Sequence, residues 1–274
     1  MGIRGAVKDI PYLMESEDET VRLDVKTDPA VVEEQGLWAG ARPGMRVADL
    51  GCGSGKTTSV LHRLVQPGGA AVGVDFSRER IDFAKSHYAA EGPEFVCEDI
   101  RLPLDALGQF DLLWIRFVLE YYRSNSMEIV RNVWRMLKPG GTLCLIDLDH
   151  NSLNHFQMPE QLEKAMFKYM RFLEEKYNFD PYAGRKLYSY LFDLGCEDMV
   201  VRVGAHHVIY GELGGVDGFN WMKKVEMATG KTARGLGEFK NEGNQIAKEF
   251  GRFFSNPRRF SYTPLICARG RKAA

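Results

Sequence analysis

Residues 47–58 read VADLGCGSGKTT, in which an apolar run ends at an acidic residue and a glycine-rich loop leads into a segment with helical periodicity. A nucleotide phosphate loop would need glycine at position 50, where the chain has Leu50. A dinucleotide fingerprint would need its third glycine at position 56, where the chain has Lys56. The remaining pattern, Asp-x-Gly-x-Gly-x-Gly between a strand and a helix, predicts a loop that a ligand approaches closely without phosphate-specific spacing.

From about residue 46 onward, short apolar runs alternate with segments of helical periodicity, which is typical of β-α-β units around a parallel sheet. RVADL is the first predicted strand, and the almost wholly apolar FDLLWIR is typical of a strand with helices on both faces. Later strands near EDMVVRV and FSYTPLICARG bring the predicted sheet to about seven strands. The sequence therefore predicts an α/β, Rossmann-like doubly wound fold with a mostly parallel seven-stranded sheet and helical cap insertions.

Two segments interrupt the alternation and are predicted to form a discontinuous cap over the ligand edge of the sheet. PEQLEKAMFKYMRFLEEKY reads as an amphipathic helix, and its aromatic positions 167, 169 and 172 spread around the helix, so we expect at least one to face a pocket or solvent. The predicted division is an N-terminal helical segment (1–40), a ligand-binding core (41–149), a cap insertion (150–180), a continuation of the core (181–210), cap helices (211–256) and a final strand with a tail (257–274).

Charge and cysteine usage exclude several classes of partner. With 36 basic and 37 acidic residues the chain has no excess positive charge for nucleic acid. The five cysteines are scattered without a Cys-x-x-Cys pair, which fits neither a disulfide framework nor a zinc site and predicts no metal and a cytoplasmic location. No apolar run reaches the roughly 18 residues of a membrane span, so no membrane partner is expected.

Each early strand is predicted to end in a polar residue at the edge where open parallel sheets bind ligands. These residues are Asp49, Asp75, Asp99 and Arg116. An ionised carboxylate accepts hydrogen bonds with two oxygens, so Asp75 can hold both hydroxyls of a ribose. Asp99 can accept an amino hydrogen of adenine, for which the dinucleotide fingerprint has no counterpart.

Five motifs occur together in family order: VADLGCGSG, AVGVDFS, CEDI, FDLLWIRFVLEY and LKPGGTLCLID. With them the chain resembles a class I S-adenosylmethionine (SAM) dependent methyltransferase over roughly residues 12–269. The flanking ESEDETVRLD and TPLICARGRK resemble small-molecule methyltransferases of the quinone-biosynthesis branch. The resemblance implies SAM as the cofactor and a small molecule as the methyl acceptor.

The same resemblance implies a set of cofactor-binding residues. They are Asp49, Gly51, Cys52, Gly53, Gly55, Asp75, Phe76, Asp99, Ile100 and Arg116. By resemblance, residues 51–53 line the methionine portion, Asp75 holds the ribose and Phe76 packs on adenine. Asp99 and the following amide read the adenine edge, and the Arg116 carbonyl meets the ammonium group.

Catalytic residues are harder to recognise in this sequence than cofactor-binding ones. The methyl group of a sulfonium is already activated, so the protein mainly has to align the acceptor. His150, just after the strand TLCLIDLD, is the candidate base, with Glu120, Tyr121 and Asp149 as comparable alternatives. His206 and His207 lie in a β-patterned stretch and are interpreted as structural.

Two other functions stay open from the sequence. A SAM-binding regulatory or scaffold protein without turnover would have the same cofactor motifs. A nicotinamide-dependent oxidoreductase is disfavoured by Lys56 at the third glycine position and by Asp99. A homodimer also stays open.

Overall fold

An eight-stranded sheet organises the residues that the structure, a computed structural model, describes: 19–215, 217–218, 221 and 240–274. The strands are β1 (Arg46–Leu50), β2 (Ala70–Asp75), β3 (Glu94–Cys97), β4 (Phe110–Arg116), β5 (Leu137–Leu148), β6 (His155–Phe156), β7 (Glu197–Tyr210) and β8 (Phe260–Arg271). Strands β3-β2-β1-β4-β5 pair in parallel, β8 is antiparallel to β5, and β6 and β7 both pair antiparallel with β8. This confirms the predicted mostly parallel, doubly wound sheet, and the two-residue β6 is its additional strand.

Helices cover both faces of the sheet. They are α1 (Glu19–Lys26), α2 (Pro29–Ala39), α3 (Lys56–Val65), α4 (Arg78–Tyr88), α5 (Ser126–Trp134), α6 (Glu160–Lys176), α7 (Leu187–Asp193) and α8 (Lys240–Phe254). The predicted N-terminal segment is helical over α1 and α2, and residues 1–18 lie outside the described residues. Among the described helices, none combines the length and hydropathy that a bilayer crossing requires.

The apolar strand β4 contributes to two separate cores. Leu113 and Ile115 pack on one face of the sheet with α5 and α7, and Leu112 and Trp114 pack on the other face with α2 and α3. All four side chains are fully buried. Because successive strand residues point to opposite faces, an uninterrupted apolar strand is the expected sequence for a sheet covered on both sides.

A third apolar cluster joins the elements of the predicted cap. Met166 and Tyr169 of α6 pack with Phe250 and Phe254 of α8. Phe167, in contrast, is 42% exposed, which confirms that the aromatic residues of α6 do not all face the core. The predicted segment 211–256 includes residues outside the described set, so its division from the core stays a prediction.

Candidate functional site

The first cavity lies at the carboxyl ends of β1, β2 and β4, where the strand order reverses. Its lining residues are Leu23, Lys26, Thr27, Gly51, Cys52, Gly53, Ser54, Thr57, Asp75, Phe76, Arg80, Ile100, Arg116, Phe117, Val118, Tyr121 and Tyr122. The reversal of strand order leaves a crevice here, because the connections that follow the two neighbouring strands run in opposite directions across the sheet. Seven of the residues that the resemblance implied are therefore brought together here: Gly51, Cys52, Gly53, Asp75, Phe76, Ile100 and Arg116.

The glycine-rich loop after β1 packs closely against the end of β2 and against Val118. The amides of Gly51 and Cys52 both donate to the Val74 carbonyl, at 2.7 and 3.0 Å. Gly51 has a φ of +84°, and a Cβ atom there would lie 2.4 Å from Val118 Cγ2. Glycine is required at this position both by the left-handed backbone and by the close packing. The main chain itself thus forms one wall of the cavity.

Asp75, the last residue of β2, places a buried carboxylate on the cavity wall. Its Oδ2 accepts from the Gly53 amide and its Oδ1 from the Ser77 amide, each at 3.0 Å. Arg80 Nη1 lies 3.8 Å from Oδ1. Each carboxylate oxygen has further acceptor capacity, so these contacts orient the group while leaving it able to accept from a ligand.

Asp49 and Gly55 are not among the residues that line the first cavity. The Asp49 carboxylate accepts from Thr58 Oγ1 at 2.7 Å and is buried beneath the loop. Gly55, with a φ of +87°, packs against Ala84 of α4 and Phe95 of β3. Both residues support the loop from below, and their predicted contact with a cofactor stays a prediction.

Asp99 and Arg116 have protein partners of their own. The Asp99 carboxylate accepts from Arg101 Nη2 at 2.6 Å and from Arg101 Nε at 2.9 and 3.0 Å. Arg116 Nε donates to Gln35 Oε1 at 3.0 Å, and burial lowers the pKa of Arg116 to about 10. Ile100, directly after Asp99, does line the cavity. The roles predicted for Asp99 and for the Arg116 carbonyl stay predictions.

Burial also decides the chemistry of Cys52. Its side chain lines the first cavity, and burial raises the pKa of the Cys52 thiol well above its usual range. A thiol that resists ionisation is a poor nucleophile. The raised pKa of Cys52 therefore does not favour a chemical role for its thiol.

His150 lies in a turn after β5, with a φ of +45° and its ring edge-on to Tyr182 at a centroid distance of 5.0 Å. It is not among the residues that line either of the two cavities discussed here. Its predicted catalytic role therefore stays a prediction without support from this geometry.

Helix α1 contributes to the wall of the first cavity. Lys56 Nζ donates to the Asp24 carbonyl at 2.7 Å, and its Nζ lies 3.5 Å from Asp24 Oδ2. The Tyr88 hydroxyl donates to Asp24 Oδ1 at 2.6 Å. Lys56, which fails the phosphate-loop spacing, thus fastens α1 over the glycine-rich loop and brings Leu23 and Lys26 to the cavity wall.

A second cavity adjoins the first, and the two share Lys26, Phe117 and Tyr121 as a common wall. Its lining residues are Arg22, Lys26, Phe117, Glu120, Tyr121, Leu148, Asn151, His206, His207 and Trp221. His206 and His207, interpreted from the sequence as structural, are thus at a cavity wall. A β-patterned stretch alone could not reveal this, because it fixes the alternation of faces and not what lies opposite each face.

Residues 48–145, which include the loop, Asp75 and β1 to most of β5, match the protein family described as methyltransferase domain. This segment is a methyltransferase domain. The match covers three of the five motifs quoted above completely and most of the first and the last. It confirms the resemblance to class I SAM-dependent methyltransferases. SAM is accordingly the cofactor of this domain.

Curated relatives of the methyltransferase domain come from different branches. Demethylmenaquinone methyltransferase from Lactococcus lactis is 30% identical over 123 residues, which are 43% of this chain and 48% of that protein. Arsenite methyltransferase from Aquipseudomonas alcaligenes is 34% identical over 115 residues, which are 38% of this chain and 33% of that protein. The matches therefore span less than half the length of either relative. They confirm the kinship with the quinone-biosynthesis branch.

The YcgJ protein from Bacillus subtilis has a similar fold, with a TM-score of 0.59 and 17% identity over 90% of this chain and all of that chain. This similarity extends the shared fold beyond the methyltransferase domain to most of the chain, including the segments after β5.

One prediction concerns the acid beneath the loop of the methyltransferase domain. Burial raises the pKa of Asp49 to about 7. The folded protein therefore binds the Asp49 proton more tightly than the unfolded chain, and between about pH 4 and pH 7 stability should fall as pH rises. Asp49→Asn should remove this component, so the wild type should lose at least about 1 kcal/mol relative to the variant across that range.

Urea unfolding of both proteins at several pH values measures the difference. Parallel stability curves for the two proteins would contradict a buried, proton-binding Asp49.

Proposed function

We propose that the protein catalyses SAM-dependent methyl transfer to a small-molecule acceptor. The observation that supports this most directly is the first cavity, where the Asp75 carboxylate and the glycine-rich loop meet at the reversal of strand order.

The residues of the first cavity fit this cofactor. Asp75 offers two acceptor oxygens for ribose hydroxyls, and Phe76, 39% exposed, offers a ring face for adenine. The loop at Gly51 and Gly53 allows close approach to the main chain, which suits the amino-acid portion. We propose that Ile100 lines the adenine side and that Asp99 acts there while held by Arg101.

The cofactor supplies a methyl group already activated by its sulfonium. The chain's own task is to hold the acceptor in line and to exclude water. Lys56 and Tyr88 hold helix α1 over the first cavity through their hydrogen bonds to Asp24, a residue of that helix. The acceptor would occupy the second cavity, since only a wall of three residues separates the two spaces.

The cap is proposed to shape the acceptor site. Trp221 lines the second cavity and packs in the same apolar cluster as α6 and α8. A change in the packing of α6 and α8 would therefore affect the second cavity, where we place the acceptor, more directly than the first cavity.

We also propose that the enzyme works in the cytoplasm. All five cysteines are free thiols, which suits a reducing compartment. The near balance of 36 basic and 37 acidic residues supports a small-molecule partner over nucleic acid.

Ligand-dependent stability tests the proposed function. S-adenosylhomocysteine (SAH) should raise the melting temperature by several degrees at concentrations well above its Kd, because it binds only the folded protein. ATP with magnesium and NAD⁺ should leave it unchanged, since the loop lacks both phosphate-binding spacings. The measurement is a thermal-shift titration with each ligand.

Each alternative has its own outcome. A shift with NAD⁺ and none with SAH would favour the oxidoreductase. Binding of SAH without any methylated product from SAM and a mixed metabolite extract would favour a regulatory SAM-binding protein.

A further inference from the structure

Glu120 places a buried carboxylate on the wall of the second cavity. It lies in the short turn Leu119–Tyr121 after β4 and is 4% exposed. Its Oε2 accepts from Asn151 Nδ2 at 2.6 Å. A buried carboxylate is costly to desolvate, and this one lines a cavity that adjoins the cofactor site.

The groups around Glu120 come from several elements. On α1, Lys26 lines the same cavity, and Arg22 is held by Glu19 through two hydrogen bonds of 2.7 Å. On β5, Asp147 lies behind Glu120 and accepts from its amide at 3.1 Å. The histidines at positions 206 and 207 face the cavity from β7.

Two of these neighbours have shifted proton affinities. Burial and the nearby Glu120 raise the pKa of Asp147 well above its usual range. Burial and the nearby Arg22 lower the pKa of Lys26 to about 7. Of these two carboxyl groups, Glu120 is the one that lines the second cavity.

The remaining wall of the second cavity is rich in rings. Phe117, Tyr121 and Trp221 line it together with the two histidines. His206 packs against Phe117 with centroids 4.7 Å apart. Flat rings favour a flat ligand that can stack or meet them edge-on.

We propose that Glu120 is the proton acceptor for an aromatic acceptor molecule bearing a hydroxyl or amine proton, bound in the second cavity. This rests on the proposed methyltransferase function. The acceptor's oxygen or nitrogen bonds to the methyl carbon as the carbon–sulfur bond breaks, and that electron pair stays on sulfur. The acceptor's proton passes to the Glu120 carboxylate and later to solvent, so charge and atoms balance.

The probe for this proposal is 2-naphthol, a flat phenol that becomes a strong acid on excitation and then emits as naphtholate where a base is in hydrogen-bond contact. With SAH bound, we expect the wild type to bind 2-naphthol and to show naphtholate emission. Glu120→Gln keeps the shape and an acceptor for Asn151 but takes up no proton, so its emission should revert to that of neutral naphthol. Glu120→Asp should restore part of the naphtholate signal.

Turnover supplies a second readout. With SAM and 2-naphthol, Glu120→Gln should lower kcat by roughly 100-fold with little change in KM, as expected for loss of a general base. Glu197→Gln, at the exposed start of β7, is the matched control and should behave as the wild type. SAH affinity should stay within about twofold in all variants, because Glu120 is not among the residues lining the first cavity.

Specific outcomes would overturn the proposal. Naphtholate emission that persists in Glu120→Gln but disappears in Asp147→Asn would assign the proton to Asp147. Failure of the SAH-bound wild type to bind 2-naphthol, or of the wild type with SAM to methylate it, would reject the aromatic acceptor class. Failure of SAH itself to bind would instead reject the proposed function, so the two failures are distinguishable.

Discussion

Replacing Asp75 with alanine should weaken SAH binding by roughly 10- to 100-fold, because the variant loses charge-assisted hydrogen bonds each worth about 1.5–3 kcal/mol. Asp75 is the buried carboxylate that faces the first cavity from the end of β2. It also holds the amides of Gly53 and Ser77, so Asp75→Ala should lower stability as well. Isothermal titration calorimetry with SAH, below the onset of unfolding, measures the affinity.

A second variant separates binding from loop support. Asp75→Asn keeps one carbonyl oxygen for the loop but replaces the other acceptor with a donor, so it should lose most of the affinity with a smaller loss of stability. Asp49→Asn is the control, because Asp49 is held by Thr58 and is not among the lining residues. Normal SAH affinity in both Asp75 variants would show that the ribose lies elsewhere.

The second large effect is on stability. Gly55→Ala should destabilise the fold by about 2–5 kcal/mol, since it adds a left-handed backbone cost of about 1–2 kcal/mol to an overpacking cost of about 1–3 kcal/mol. A Cβ atom at Gly55 would lie 2.6 Å from Ala84 Cβ and 2.8 Å from Phe95 Cε1. Ala84 is on α4 and Phe95 on β3, so relief would require a shift of the backbone.

Gly44→Ala is the matched control. Gly44 has a φ of +85°, close to the +87° of Gly55, but no atom lies within 4 Å of its hypothetical Cβ. Its variant should therefore show the backbone cost alone, about 1–2 kcal/mol. Equal losses in urea unfolding would mean that the packing around Gly55 relaxes freely, contrary to the expectation.

Much of the first cavity could be predicted from sequence patterns within single strands and the loops that follow them. The glycine-rich loop, Asp75 and Ile100 each follow directly from a predicted strand, and parallel strands bring their carboxyl ends to one edge. Strand, loop and acidic residue are adjacent in the chain, so their relative positions need little beyond the β-α-β geometry. Gly55 and Asp49 lie in the same motif, yet they are not among the residues that line the cavity. The Asp49 carboxylate accepts from Thr58, and Gly55 packs closely against α4 and β3.

His150 and Lys56 show where local patterns end. A histidine just after a strand at the ligand edge was a reasonable candidate base, but His150 packs on Tyr182 and is not among the residues that line either cavity. Lys56 was excluded as a phosphate ligand by spacing, and only the tertiary structure shows its partner, Asp24, 32 residues earlier in the chain.

The sequence by itself determined the fold class, the cofactor family and the position of the loop and of Asp75, because these depend on periodicity and on residues adjacent in the chain. The tertiary structure alone decided the second cavity, which combines Lys26 of α1, Glu120 after β4, Asn151 after β5, His207 of β7 and Trp221 of the cap. Its lining depends on how helices pack onto the sheet, and such packing is set by side-chain contacts between segments far apart in the chain. No single segment of the sequence contains a pattern that predicts the second cavity.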